Sequence, residues 1–112
     1  MTDILLVCDK EGCFKSLRAL GHASFAEKGK DIVCSAETIV LRTAMEILKD
    51  TKGVVLNADV ASRGSLAFSV EVSKSFENTE RLKCTADFIR VALKSLMDEY
   101  PDNVQLREIS ED

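Results

Sequence analysis

The feature that most narrows the fold of this chain is a repeated change of hydrophobic period. Stretches that alternate apolar and polar residues are followed, twice, by longer stretches with helical spacing. Val54, Leu56, Ala58 and Val60 recur at every second position, and Leu66, Phe68, Val70 and Val72 do so again after Ala61-Ser62-Arg63-Gly64-Ser65. Alternation of this kind puts the apolar side chains on one face of a half-buried strand, so 54–72 reads as a hairpin. Ile4-Leu5-Leu6-Val7-Cys8 is a short apolar run closed by the turn signal Asp9-Lys10-Glu11-Gly12, and Cys13 to Leu20 alternates loosely after it. This predicts a first hairpin, with Phe14 and Leu20 on one face and Leu17 and Ala19 on the other.

From Ile32 to Lys49 the spacing is helical instead. Val33, Ala36, Val40, Ala44, Ile47 and Leu48 share a face, and Lys52-Gly53 ends the segment. A second helix is expected from about Glu77 to Glu99, with Leu82, Ala86, Ile89, Leu93, Leu96, Met97 and Tyr100 in its stripe. Pro101 stops it. Val104 to Ile109 reads as a last short strand, and Gly21 to Lys30, without periodicity, reads as a loop. The order ββαββα, with the added strand, defines an α+β class. The expected architecture is a small layered domain, an antiparallel sheet from two hairpins whose faces are covered by two amphipathic helices.

The 112 residues suit one domain, 1–112, and the 46% apolar and 30% charged content excludes disorder. No apolar stretch approaches the roughly 18 residues that read as a membrane-spanning helix. Met1 to Asp9 lacks the basic region and long apolar run of a secretory signal, so the expected location is cytoplasmic. Cys8, Cys13, Cys34 and Cys84 are then expected as reduced thiols, and no Cys-x-x-Cys motif occurs. The net charge of -4, without a basic patch, argues against direct nucleic-acid binding. It is an ordinary solubility charge and also suits a basic peptide partner.

The chemistry concentrates in 21–34. His22, the one histidine of the chain, precedes Cys34 by twelve residues. Asp31 is a good N-cap, which puts Cys34 in the first turn of the first helix. There the unpaired amides and the positive end of the helix dipole favour thiolate, the nucleophilic form. A loop folding His22 back onto Cys34 would make a thiolate–imidazolium pair. The same residues also fit a small core hydrophobe and an ordinary loop histidine, and residue chemistry leaves both readings open. A Cys₃His zinc site from Cys8, Cys13, His22 and Cys34 is a weaker arrangement, because the five-residue cysteine spacing is loose for zinc. No metal or cofactor is expected.

Gly21-His22-Ala23, then Gly29, then Asp31-Ile32-Val33-Cys34-Ser35-Ala36, resembles the signature of the ribosomal-processing cysteine proteases called Prp. The likeness is densest over 21–36 and extends along the chain in length and element order. It implies a cysteine endopeptidase and a homodimer. The implied substrate is the precursor of the twenty-seventh protein of the large ribosomal subunit, from which a short N-terminal extension is removed. Carried over, Cys34 is the nucleophile and His22 the general base, and Asp31 caps the helix or orients the imidazole. Gly21, Ala23 and Gly29 match positions of a loop over the peptide, and Phe25 falls where a bulky residue is usual and implies a substrate contact. After the cysteine the family runs through small apolar residues to a serine. Here Ser35-Ala36-Glu37-Thr38 follows, so Thr38 supplies the hydroxyl and Glu37 departs from the pattern. A charged Glu37 close to Cys34 would oppose the thiolate. The alternative function is a non-catalytic module of the same fold that escorts a ribosomal protein during assembly.

Overall fold

Residues 2–21, 32–59, 65–73 and 76–111 are described by a computed structural model. Their elements run β1 (Thr2–Asp9), β2 (Phe14–Leu20), α1 (Ile32–Lys49), β3 (Val54–Asp59), β4 (Ser65–Val72), α2 (Phe76–Glu99) and β5 (Val104–Glu111). This is the expected α+β class and element order. The strands form one sheet in the order β3-β4-β2-β1-β5.

The sheet is not wholly antiparallel, as the hairpin pattern suggested. β5 runs parallel to β1 over eight residues, from Thr2 opposite Val104 to Asp9 opposite Glu111. Parallel neighbours need a long crossover, and α2 supplies it between β4 and β5. The helices do not cover both faces either. α1 packs on α2 and β3, and α2 on β5 and β2, so both lie on one side. The reason is visible in the strand pattern. Ile4, Leu6, Leu17, Ala19, Phe68 and Val104 are buried and share that side through the strand registers. Arg18, Val55, Asn57, Arg107 and Ile109 occupy the opposite face and are exposed.

The first hairpin departs from simple alternation at a bulge. Val7 pairs with Ser16, but Cys8 pairs with Phe14, leaving Lys15 as the extra residue. An inserted residue reverses the parity of everything beyond it. Phe14 and Leu17 therefore both enter the core, while Leu20 stays 46% exposed rather than joining Phe14. Phe14 stacks on Phe68 across the sheet, with centroids 5.5 Å apart and planes at 22°. Such a pair adds about 1 kcal/mol beyond its buried area.

On α1 the buried line is Val33, Glu37, Leu41, Ala44 and Leu48. Ala36, Val40 and Ile47, expected at its centre, are half-buried flanks. The helix meets both α2 and β3, and the line between those two contacts is the deepest. Its far end is tied to α2, since Arg81 Nε donates to Thr51 Oγ1 at 3.0 Å. Between α1 and β3 the chain turns at Gly53 (φ 79°), where a Cβ would come within 2.9 Å of Asn78 Nδ2. Asn78 Nδ2 donates to the Ser73 carbonyl, which pins the start of α2 to the end of β4.

Candidate active site

Cys34 is the third residue of α1, a half-buried thiol in the first turn. That turn, from Ile32 to Ser35, carries no acidic residue. One turn on, Thr38 Oγ1 donates to the Cys34 carbonyl at 2.8 Å. The Thr38 hydroxyl is thus bonded to the backbone of the cysteine itself. Gly21, where β2 ends, has φ 86°, a left-handed conformation that glycine adopts without a Cβ clash. It turns the chain out of the sheet and into the segment that reaches α1. His22, Ala23, Phe25, Gly29 and Asp31 lie outside the described residues.

Glu37 sits in the buried line of α1, between Val33 and Leu41, with 0% exposure. Its Oε2 accepts from Thr2 Oγ1 at 3.0 Å. The helical spacing places it inside the apolar arc, and the structure keeps it there rather than at an edge. Its hydrogen-bond partner stands 35 residues away in sequence, beyond the reach of any local pattern.

A second thiol has a different setting. Cys8, buried on β1, has its Sγ 3.9 Å from Arg90 Nη2. Arg90 grips Glu108 with two hydrogen bonds, Nε to Oε2 at 2.8 Å and Nη2 to Oε1 at 2.6 Å, and Asp87 Oδ1 takes its Nη1 at 2.6 Å. Burial, then the nearby Glu108 carboxylate, push the Cys8 thiol up to about 11. The hydrogen bonds from Arg90 hold Glu108 below the usual carboxylate range, and those to Glu108 hold Arg90 above its own. This cluster closes α2 over β1 and β5. Its thiol stays protonated and is unsuited to nucleophilic work.

Cys13, also buried, has other partners. Its Sγ donates to the Thr79 carbonyl at 3.7 Å, and Asp9 Oδ1 accepts the amides of Glu11 and Cys13, each at 2.9 Å. The turn thereby gathers one ligand atom each from Asp9, Glu11 and Cys13 within 4.8 Å of one another. The zinc arrangement weighed from the sequence needs Cys8, Cys13 and Cys34 together, and the described residues do not bring them together.

Two concavities flank these features. One, of about 490 Å³, lies on the open sheet face between Leu5, Val7, Ser16, Arg18, Asn57 and Asp59. Another, of about 300 Å³, lies beside the β1–β2 turn against Phe14, Val72 and Leu82. Cys34 lines neither. No helix among the described residues is long and apolar enough to cross a membrane.

The α+β fold is shared by a class of small cysteine peptidases, and comparison with known proteins names the class. The family model of the cysteine protease Prp matches residues 1–105, and the chain belongs to that family. The ribosomal processing cysteine protease Prp of Mycoplasma genitalium is 31% identical over 94 residues, covering 84% of this chain and 88% of its own. Its counterpart from Bacillus subtilis is 29% identical over 93 residues, covering 81% and 82%. The essential ribosomal processing protease Prp from S. aureus, solved with a substrate peptide, superposes with a TM-score of 0.77. That match covers 97% of this chain and all of the other, at 19% identity. SMU.848 from Streptococcus mutans gives the same TM-score at 20% identity, covering 99% and 96%.

Proposed function

We propose that this protein is a cysteine endopeptidase that removes the N-terminal extension of the precursor of the twenty-seventh large-subunit ribosomal protein. The observation that carries the reading is the half-buried Cys34 in the first turn of α1, in a chain of the Prp family. The names of its relatives supply the ribosomal context, and the S. aureus protein binds a substrate peptide. The net charge of -4 is compatible with a basic precursor segment.

In this mechanism the Cys34 thiolate attacks the scissile carbonyl carbon, with His22 as its imidazolium partner. First-turn amides of α1 hold the oxyanion, and one such donor is typically worth about 3 kcal/mol. The C–N bond then breaks, His22 gives its proton to the leaving amine, and the peptide acyl group stays on sulfur as a thioester. Water, losing its proton to His22, attacks that thioester, and the C–S bond breaks to restore the thiolate. Asp31 caps the helix, Thr38 steadies the Cys34 carbonyl, and Gly21, Ala23, Phe25 and Gly29 form the loop over the peptide. No cofactor takes part. The active form is a cytoplasmic homodimer, and light scattering on the purified chain tests its mass.

The decisive experiment incubates the chain with a synthetic peptide spanning the first residues of the precursor from the same organism. Mass spectrometry is expected to find two products with the wild type and none with Cys34→Ala. An intact peptide with both, or equal cleavage by both, overturns the reading. Tight binding without cleavage would instead identify the escort module.

A further inference from the structure

Among the five buried residues of α1, four are apolar and the fifth is Glu37. A fully shielded carboxyl at such a position is unfavourable compared with an aliphatic side chain, unless a partner is held in good geometry. Thr2 is one such partner, and it is equally shielded, at 0% exposure. Thr2 is itself fixed. Its amide donates to the Asn103 carbonyl at 2.8 Å, and it lies opposite Val104 at the start of the parallel β1–β5 pair. A continuous path thus runs from the turn after α2, through Thr2, to Glu37 on α1. Glu37 is three residues from Cys34, and its neighbour Thr38 bonds the Cys34 carbonyl.

Apolar contacts such as those of Val33 and Leu41 are non-directional and tolerate a small rotation or slide of the helix. A buried hydrogen bond does not, and buried polar pairs are best attested as devices that set register. We infer that Glu37, through Thr2, is a positioning residue, setting the rotation and height of the first turn of α1 and so the placement of the Cys34 sulfur. This rests on the peptidase reading of Cys34. Small misplacements matter at that point, since a shift of about 1 Å in a reacting group costs on the order of a hundredfold in rate.

The test uses the full chain and the precursor peptide named above, with kcat and KM measured separately. Thr2→Val removes the donor and keeps the side-chain shape, Glu37→Leu removes the acceptor, and Glu37→Gln keeps an acceptor without the charge. Thr2→Val and Glu37→Leu are expected to lower kcat by about tenfold or more, with KM within about twofold. Glu37→Gln is expected to restore most of kcat, and the Thr2→Val/Glu37→Leu double variant to be no worse than the poorer single one. If Glu37→Leu fails to fold, Thr2→Val carries the test alone. Folded Thr2→Val or Glu37→Leu with wild-type kcat overturns the inference, and so does Glu37→Gln as poor as Glu37→Leu. Iodoacetamide alkylation of Cys34 gives a readout independent of cleavage. The same two variants shift its rate and Glu37→Gln returns it. A wild type that leaves the peptide whole, with these alkylation shifts intact, fails the peptidase reading and not the positioning role.

Discussion

Two thiols of this chain, Cys34 and Cys8, carry the same functional group into opposite settings. Cys34 begins a helix, half-buried, in a turn without carboxylates. Cys8 is buried near the end of β1, under an Arg90–Glu108 pair, and is pushed up to about 11. The difference teaches that thiol chemistry is set by where the backbone leaves polar groups unpaired. On β1 the ladder takes up the amides, and the Cys8 sulfur meets burial and the Glu108 carboxylate, both of which disfavour thiolate. A helix start has amides to spare and a dipole directed at the same point.

The largest effect that would sharpen this contrast is on turnover. Cys34→Ala is expected to lower cleavage of the precursor peptide by at least about a thousandfold. Cys8→Ala is expected to keep kcat within about threefold and to cost only about 1 kcal/mol of stability, measured by urea unfolding. Comparable losses of activity from both would break the comparison. Alkylation is the next measure. At pH 8 folded Cys8 is expected to react on the order of a hundredfold more slowly than a thiol near its ordinary value of about 8.5. Peptide mapping after a short iodoacetamide pulse is expected to find label on Cys34 first.

A smaller effect concerns the cover over Cys8. Glu108 is held below its ordinary value by Arg90, so its contribution to stability is present above the unfolded value of about 4.3. That contribution is lost as pH falls through the folded value. The pair is one-third exposed and screened by solvent, so Glu108→Gln is expected to cost about 1 kcal/mol at pH 7. Thermal melts of the two proteins are expected to converge near pH 2. The smallest effect is at Thr38, where Thr38→Val removes the hydrogen bond to the Cys34 carbonyl and is expected to lower kcat a few-fold, with Thr38→Ser restoring it. An undiminished kcat in Thr38→Val would leave the hydroxyl a purely local feature.

Much of this was open to reading in one dimension. Period two over 54–72 and helical spacing over 32–49 and 77–99 are local consequences of which residues must face a core. They give the class, the element order and the position of Cys34 three residues into a helix. Gly21-His22-Ala23 and Asp31-Ile32-Val33-Cys34 identify the family for the same reason, being contiguous. The same spacing put Glu37 in the apolar arc, as observed.

What a local pattern does not contain is which distant strand or side chain completes a contact. The bulge at Lys15, the parallel β5 and the placement of both helices on one face each depend on pairing between separate segments. Thr2 meets Glu37 across 35 residues and Cys8 meets Arg90 across 82. Composition and period act within a turn or a strand, and they determined the elements and the chemistry-bearing residues. Burial, register and hydrogen-bond partners arise only when those elements pack. The tertiary structure therefore decided which thiol is shielded and to what the buried carboxyl is tied.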